Sequence, residues 1–122
     1  MVAGLTTNAE ATPVEMLPGI VRRTLNEGAR AMLCELQLAK DSHVPSHTHP
    51  HEQIGYLVSG RFRFRMGDEW QELGPGDSWC VPGDLEHEVE VLEDSVALDI
   101  FSPPRAEYRD PGPLGVRAAA RT

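Results

Sequence analysis

An all-β fold, built as a double-sheet jelly roll or barrel, is what this sequence predicts, and three observations carry it. The middle of the chain is a succession of short runs in which apolar and polar residues alternate. Clusters of Gly, Pro and Asp stand between those runs, drawn from 11 glycines and 10 prolines. No segment carries an apolar stripe at helical spacing long enough to make a helix.

The runs are residues 20–25, 31–38, 53–59, 61–66, 69–73, 77–81, 87–92 and 95–101, each about the length of a strand. The cleanest is RFRFRM at 61–66: Phe62, Phe64 and Met66 share one face and Arg61, Arg63 and Arg65 the other. The arginine face is read as solvated or subunit-facing, because alternating cations on a strand are too spread to grip one anion. Ser59-Gly60 is expected to end one strand before the next begins, and Gly67-Asp68, Gly74-Pro75-Gly76 and Pro82-Gly83-Asp84 supply tight turns. So many short strands at this spacing make a jelly roll or barrel.

A chain of 122 residues holds one domain. Residues 1–12 are small and polar without periodicity and read as a flexible N-terminal arm. Residues 110–122, opened by a Pro/Gly cluster, read as a flexible tail, which leaves 13–109 as the folded domain. The net charge is −8 and no basic run exists, so nucleic acid and anionic membrane are not expected partners. No secretory pattern opens the chain and no apolar run is long enough to span a bilayer, so a cytoplasmic protein is expected. Cys34 and Cys80 lie in strand patterns without CxxC spacing and are read as two buried, reduced thiols.

The histidines carry the chemistry. His43, His47, His49 and His51 crowd one short stretch, and His87 stands far along the chain. In extended backbone, residues two apart point the same way, so His47, His49, His51 and Gln53 share one parity. That arrangement aims several ring nitrogens and one amide oxygen at a single point, a donor set suited to zinc, nickel, copper or iron. Gln53 is the favoured fourth ligand, and His51 takes its place if the loop curls. Glu52 has the opposite parity, and His43 precedes the motif and is read as a neighbour of the site or solvated.

These residues resemble the motifs of the cupin superfamily. Its first motif matches His47, His49, Gln53 and Gly60, and its second matches Gly76, Pro82 and His87. The resemblance implies a cupin double-stranded β-helix with His47, His49, Gln53 and His87 around one divalent transition metal ion: zinc, nickel, manganese or iron. Asp41 and Asp84 stand where the motifs carry glycine, and Gln53 replaces the usual Glu. With a carboxylate, the site of a divalent ion keeps one net positive charge; with Gln it keeps two. That favours Lewis-acid chemistry on an anionic substrate over redox chemistry.

Residues 97–108 (ALDIFSPPRAEY) are similar to the strand and exit turn of KdgF-type cupins, enzymes of pectin and alginate breakdown. The resemblance implies pocket roles for Asp99, Phe101 and Arg105, and a reaction that opens 4,5-unsaturated monouronates to linear keto sugars. Asp99 would shuttle a proton, Arg105 hold the sugar carboxylate and Phe101 form an apolar wall. An acid between Leu98 and Ile100 is costly unless it faces a polar cavity, which agrees with that role. A polyketide cyclase or dioxygenase on the same scaffold and a non-enzymatic sugar-binding module are the competing readings. A homodimer is expected, since small jelly rolls expose sheet edges.

Overall fold

The computed structural model describes residues 4–109. The expected tail at 110–122 and the first three residues of the expected arm lie outside them. Within the rest of that arm, Asn8–Glu10 form a 3-10 turn and Ala11 is buried. Eight strands follow: β1 (Pro13–Leu17), β2 (Ile20–Glu27), β3 (Met32–Leu38), β4 (His43–His47), β5 (Glu52–Met66), β6 (Glu69–Leu73), β7 (Ser78–Val81) and β8 (His87–Ser102). A second 3-10 turn, Ala106–Tyr108, closes the described chain. Among the described residues, no helix is long and apolar enough to cross a membrane.

All pairings are antiparallel, and β5 and β8 run through both layers of the roll. The first half of β5 pairs with β7 and with the second half of β8, which continues through β3 and β2 to β1. The second half of β5 pairs with β6 and with the first half of β8, which continues to β4.

Two expected breaks are therefore bends. Gly60 does not end a strand: the ladder shifts register around Ser59 and Arg61 and continues. Gly60 adopts φ 94°, and a Cβ there would lie 2.2 Å from Ser95 Oγ, so only glycine turns this corner. Opposite it, residues 92–95 also stay in strand. Ser95 is buried; its hydroxyl donates to the Glu93 carbonyl at 2.7 Å and accepts the Arg61 N–H at 3.1 Å, satisfying the backbone across the kink. Glycine and serine punctuate a corner and a chain break alike, so the local sequence does not tell the two apart.

Inside, Phe62, Phe64, Trp79, Leu57, Val81, Val89, Val91 and Ala97 form the main core. Outside, the arginines of β5 form ion pairs with neighbouring strands: Arg61 with Glu72 at 2.9 Å, Arg63 with Glu90 at 2.7 Å and Arg65 with Glu88 at 2.9 Å. The Arg61 and Arg63 pairs are exposed and add little stability, while the Arg65–Glu88 pair is largely covered. The outer face of the other sheet is different: Ile54, Tyr56, Val58 and Ile100 are each 44–48% exposed. Cys34 is buried as expected, but Cys80 is exposed. Trp79 and Val81 take the inward positions of β7, so parity turns Cys80 outward.

Candidate metal centre

The three histidines meet because of pairing in β4 and β8. His47 ends β4 and His87 opens β8, and the two are Cα partners across the ladder. His49 comes from the loop between β4 and β5. That loop is pinned to the β7–β8 turn: the Asp84 N–H donates to the His49 carbonyl at 2.8 Å, and a Cβ at Gly83 would lie 2.5 Å from the Pro50 carbonyl oxygen. Asp41 and Asp84, which stand where the motifs carry glycine, both adopt positive φ, 70° and 68°, the left-handed conformation that glycine takes at least cost.

One donor atom from each of His47, His49 and His87 lies within 4.8 Å of the others. The backbone fixes the tautomer of all three rings. His47 Nδ1 contacts the Pro45 carbonyl at 2.8 Å, His49 Nδ1 the His51 carbonyl at 3.0 Å and His87 Nδ1 the Leu85 carbonyl at 2.8 Å. A carbonyl only accepts, so each Nδ1 carries the hydrogen, and each neutral ring keeps its lone pair on Nε2. Burial lowers the pKa of His47 and His49, and pushes His87 down to about 4, so the rings are neutral at neutral pH. His87 Nε2 is buried with no hydrogen-bond partner.

Gln53 stands beside the three histidines. It is buried on β5, its Nε2 donates to Asp99 Oδ1 at 3.0 Å, and its Oε1 lies 3.0 Å from His49 Nε2. With the amide and the imidazole oriented by their other partners, that contact brings two lone pairs together. A cation shared by both atoms resolves it, and the orphaned Nε2 of His87 is satisfied by the same ion. The donor set therefore fits a divalent transition metal.

Asp99 lies on β8, opposite Gly55 on one side and Cys34 on the other. It is 3% exposed, and Oδ1 accepts hydrogen bonds from Gln53 Nε2 and from Trp79 Nε1, the latter at 2.9 Å. Burial raises its pKa to about 6 despite those two bonds, which favour the charged form. The indole reaches Asp99 by crossing β5 over Gly55: a Cβ there would lie 2.0 Å from the Trp79 ring. Phe101 is buried, with its ring centroid 5.8 Å from that of His49 in an edge contact. Arg105 follows the cis Ser102–Pro103 peptide; its guanidinium lies over Phe101 at 5.1 Å and bonds Glu107 at 3.2 Å.

His47, Gln53, His87, Asp99, Phe101 and Arg105 all line one cavity of about 70 Å³, and His49 stands beside them. The rest of the wall is apolar and includes Leu36, Leu38, Phe62 and Phe64. His51 is outside the histidine cluster, its ring centroid 5.7 Å from that of His49 and its Nδ1 buried without a hydrogen-bond partner. Glu52 is exposed, and His43 is exposed and paired with Glu88 at 2.6 Å. Trp79, Gly55 and Tyr108 are site residues that sequence reasoning missed. Only Gly55 left a signal, as an isolated glycine inside a strand pattern.

The model of the family described as "Cupin domain" matches residues 34–101. The pectin degradation protein KdgF of Dickeya dadantii (strain 3937) is 32% identical over 102 residues, covering 81% of this chain and 93% of that protein. The solved structure of KdgF from Halomonas sp. is 30% identical with a TM-score of 0.83, covering 88% of this chain and 100% of that one. An RmlC-like cupin from Shewanella frigidimarina NCIMB 400 is similar in fold, with a TM-score of 0.84 at 23% identity over 88% of this chain and 97% of that one.

Proposed function

The chain belongs to the cupin family, and from that premise we propose that it is a metal-dependent enzyme that opens a 4,5-unsaturated uronate to its linear keto form. The observation that carries this reading is the continuous link from donor set to acid: His49 Nε2 to Gln53 Oε1, and Gln53 Nε2 to Asp99 Oδ1, each 3.0 Å. The relationship to KdgF proteins, named for pectin degradation, supports the choice of substrate class.

His47, His49, Gln53 and His87 would hold one zinc, nickel, manganese or iron ion, which supplies Lewis-acid polarisation of substrate oxygens when bound. Both donors to Asp99 fall on Oδ1, so Oδ2 is the oxygen that takes and returns a proton. Asp99 removes the proton of the anomeric hydroxyl; the C1–ring oxygen bond breaks, leaving an aldehyde at C1 and an enolate across C4 and C5. Asp99 then returns the proton to C4, and C5 becomes a ketone. No atom is gained or lost, so the reaction is an isomerisation. A carboxyl poised near pH 6 suits both halves of that transfer. Arg105 takes the substrate carboxylate, and Phe101 walls the ring.

A second reading has one observation behind it. The apolar cavity wall at Leu36, Leu38, Phe62 and Phe64 suits a carbon-rich acid, as a polyketide cyclase would require. The uncharged patch of Ile54, Tyr56, Val58 and Ile100 supports the expected homodimer, because the arginine–glutamate pairs of β5 lie on the other sheet and leave this face apolar.

Metal analysis of the purified protein, followed by an assay on unsaturated uronates with and without chelator, tests the proposal. It expects one equivalent of metal and turnover that chelation abolishes. Binding without turnover across unsaturated uronates would leave a sugar-binding module, and turnover insensitive to complete metal removal would overturn the metal-dependent reading.

A further inference from the structure

Arg105 rides on the segment after β8, and that segment is fastened to β2. Thr24 Oγ1 donates to the Tyr108 carbonyl. Arg109 grips Glu27 in two-pronged fashion, at 2.7 and 3.0 Å. Arg22, 1% exposed on β2, places its guanidinium carbon 4.7 Å from the Tyr108 ring centroid. The same ring carries Arg105 at 3.9 Å and meets Phe101 edge-on at 5.4 Å.

Two partners compete to fix the Arg105 head. The Glu107 carboxylate bonds Nη2 at 3.2 Å, but its side chain is 46% exposed, so solvent and salt weaken that hold. The Tyr108 ring presents its negative face, 3.9 Å away, to a guanidinium that is 8% exposed, and solvent does not screen that contact in the same way. Arg105 Nε is buried with no hydrogen-bond partner, so a donor is left over for a ligand. We propose that Tyr108, seated on β2 beside Arg22, is a positioning residue whose ring sets the Arg105 guanidinium for a substrate carboxylate. This rests on the reading of Arg105 as the carboxylate clamp. β2, whose Ile20 already lines the cavity, thereby also supports the clamp through Thr24 and Arg22.

Tyr108→Phe keeps the ring and Tyr108→Leu removes it. In the metal-loaded enzyme, Tyr108→Leu should raise KM for an unsaturated uronate, and the calorimetric Kd for saturated D-galacturonate, about tenfold while kcat moves far less. Tyr108→Phe should match the wild type, and in an Arg105→Ala background Tyr108→Leu should add nothing. A substrate-free readout stands apart from the functional reading. The Nε resonance of Arg105, shifted by the ring currents of Tyr108 and Phe101, should relax toward the free-arginine value in Tyr108→Leu and stay put in Tyr108→Phe. An unmoved resonance in a folded Tyr108→Leu protein overturns the proposal, as does Tyr108→Phe binding as weakly as Tyr108→Leu. A wild type that binds and turns over no uronate, with the resonance behaving as expected, removes the clamp reading and leaves the positioning intact.

Discussion

The side-chain amide of Gln53 donates to the carboxylate of Asp99 at 3.0 Å, while its oxygen faces His49 Nε2. One residue thus needs an acceptor on the metal side and a donor on the acid side. Glutamine supplies both; glutamate supplies two acceptors. The departure from the usual cupin carboxylate is in this way dictated by Asp99.

Gln53→Glu should therefore bring two carboxylates into contact and force one of them to hold a proton. Metal binding should persist or tighten, since the site loses a positive charge, while kcat falls by on the order of a hundredfold. Parallel metal titration and kinetics check this. Equal kcat in the variant would mean that Asp99 needs no donor from position 53.

Asp99→Asn should abolish turnover and leave metal content unchanged. It should also reverse a pH-dependent cost of folding. Asp99 is raised to about 6 from an ordinary 3.8, so the folded state favours the protonated acid. Its contribution is favourable at low pH and is lost as pH rises through about 6. In metal-free protein, Asp99→Asn should then be more stable than wild type at pH 8, by on the order of 2 kcal/mol, with the gain vanishing near pH 4. Denaturant melts at the two pH values measure it.

Gly55→Ala places a methyl group 2.0 to 2.2 Å from three atoms of the Trp79 indole. The ring must leave Asp99 or the strand must yield, at a cost of about 1–3 kcal/mol. The variant should melt earlier and show altered tryptophan emission, with activity reduced even where it remains folded. A variant with wild-type melting and emission would show that β5 has slack the packing does not reveal.

The thiols should differ. Cys80 is exposed on β7, whereas burial raises the Cys34 thiol to about 11. At pH 8 an alkylating reagent should modify Cys80 alone in the native protein and both thiols after unfolding; mass spectrometry of the labelled peptides reads the result.

How much of this is legible in the sequence follows from where each residue's partners lie. The alternation of Phe62, Phe64 and Met66 against the arginines fixes which face of β5 is buried, because period-two patterning is local. The shared parity of His47, His49 and Gln53 is legible, but His49 lies in a loop and not in a continuous strand, so what brings it to the other two is the pinning of that loop to the β7–β8 turn, which local patterning does not reveal. The pairing of His47 with His87 is not local, and is legible only through the resemblance to cupin motifs. The continuity of β5 through Gly60 and of β8 through Ser95 is hidden, since a corner and a break use the same residues. Trp79 and Tyr108 escape sequence reasoning because their roles depend on what lies across the sheet: Gly55 clears a path for one, and Arg22 seats the other.

The central claim is that His47, His49 and His87 face one ion. The most direct measurement is calorimetric titration of chelator-stripped protein with zinc or nickel, for wild type and for His87→Ala. One equivalent should bind to the wild type, and His87→Ala should weaken binding by on the order of a hundredfold or more. His87→Ala protein that binds one equivalent with wild-type affinity would contradict the account.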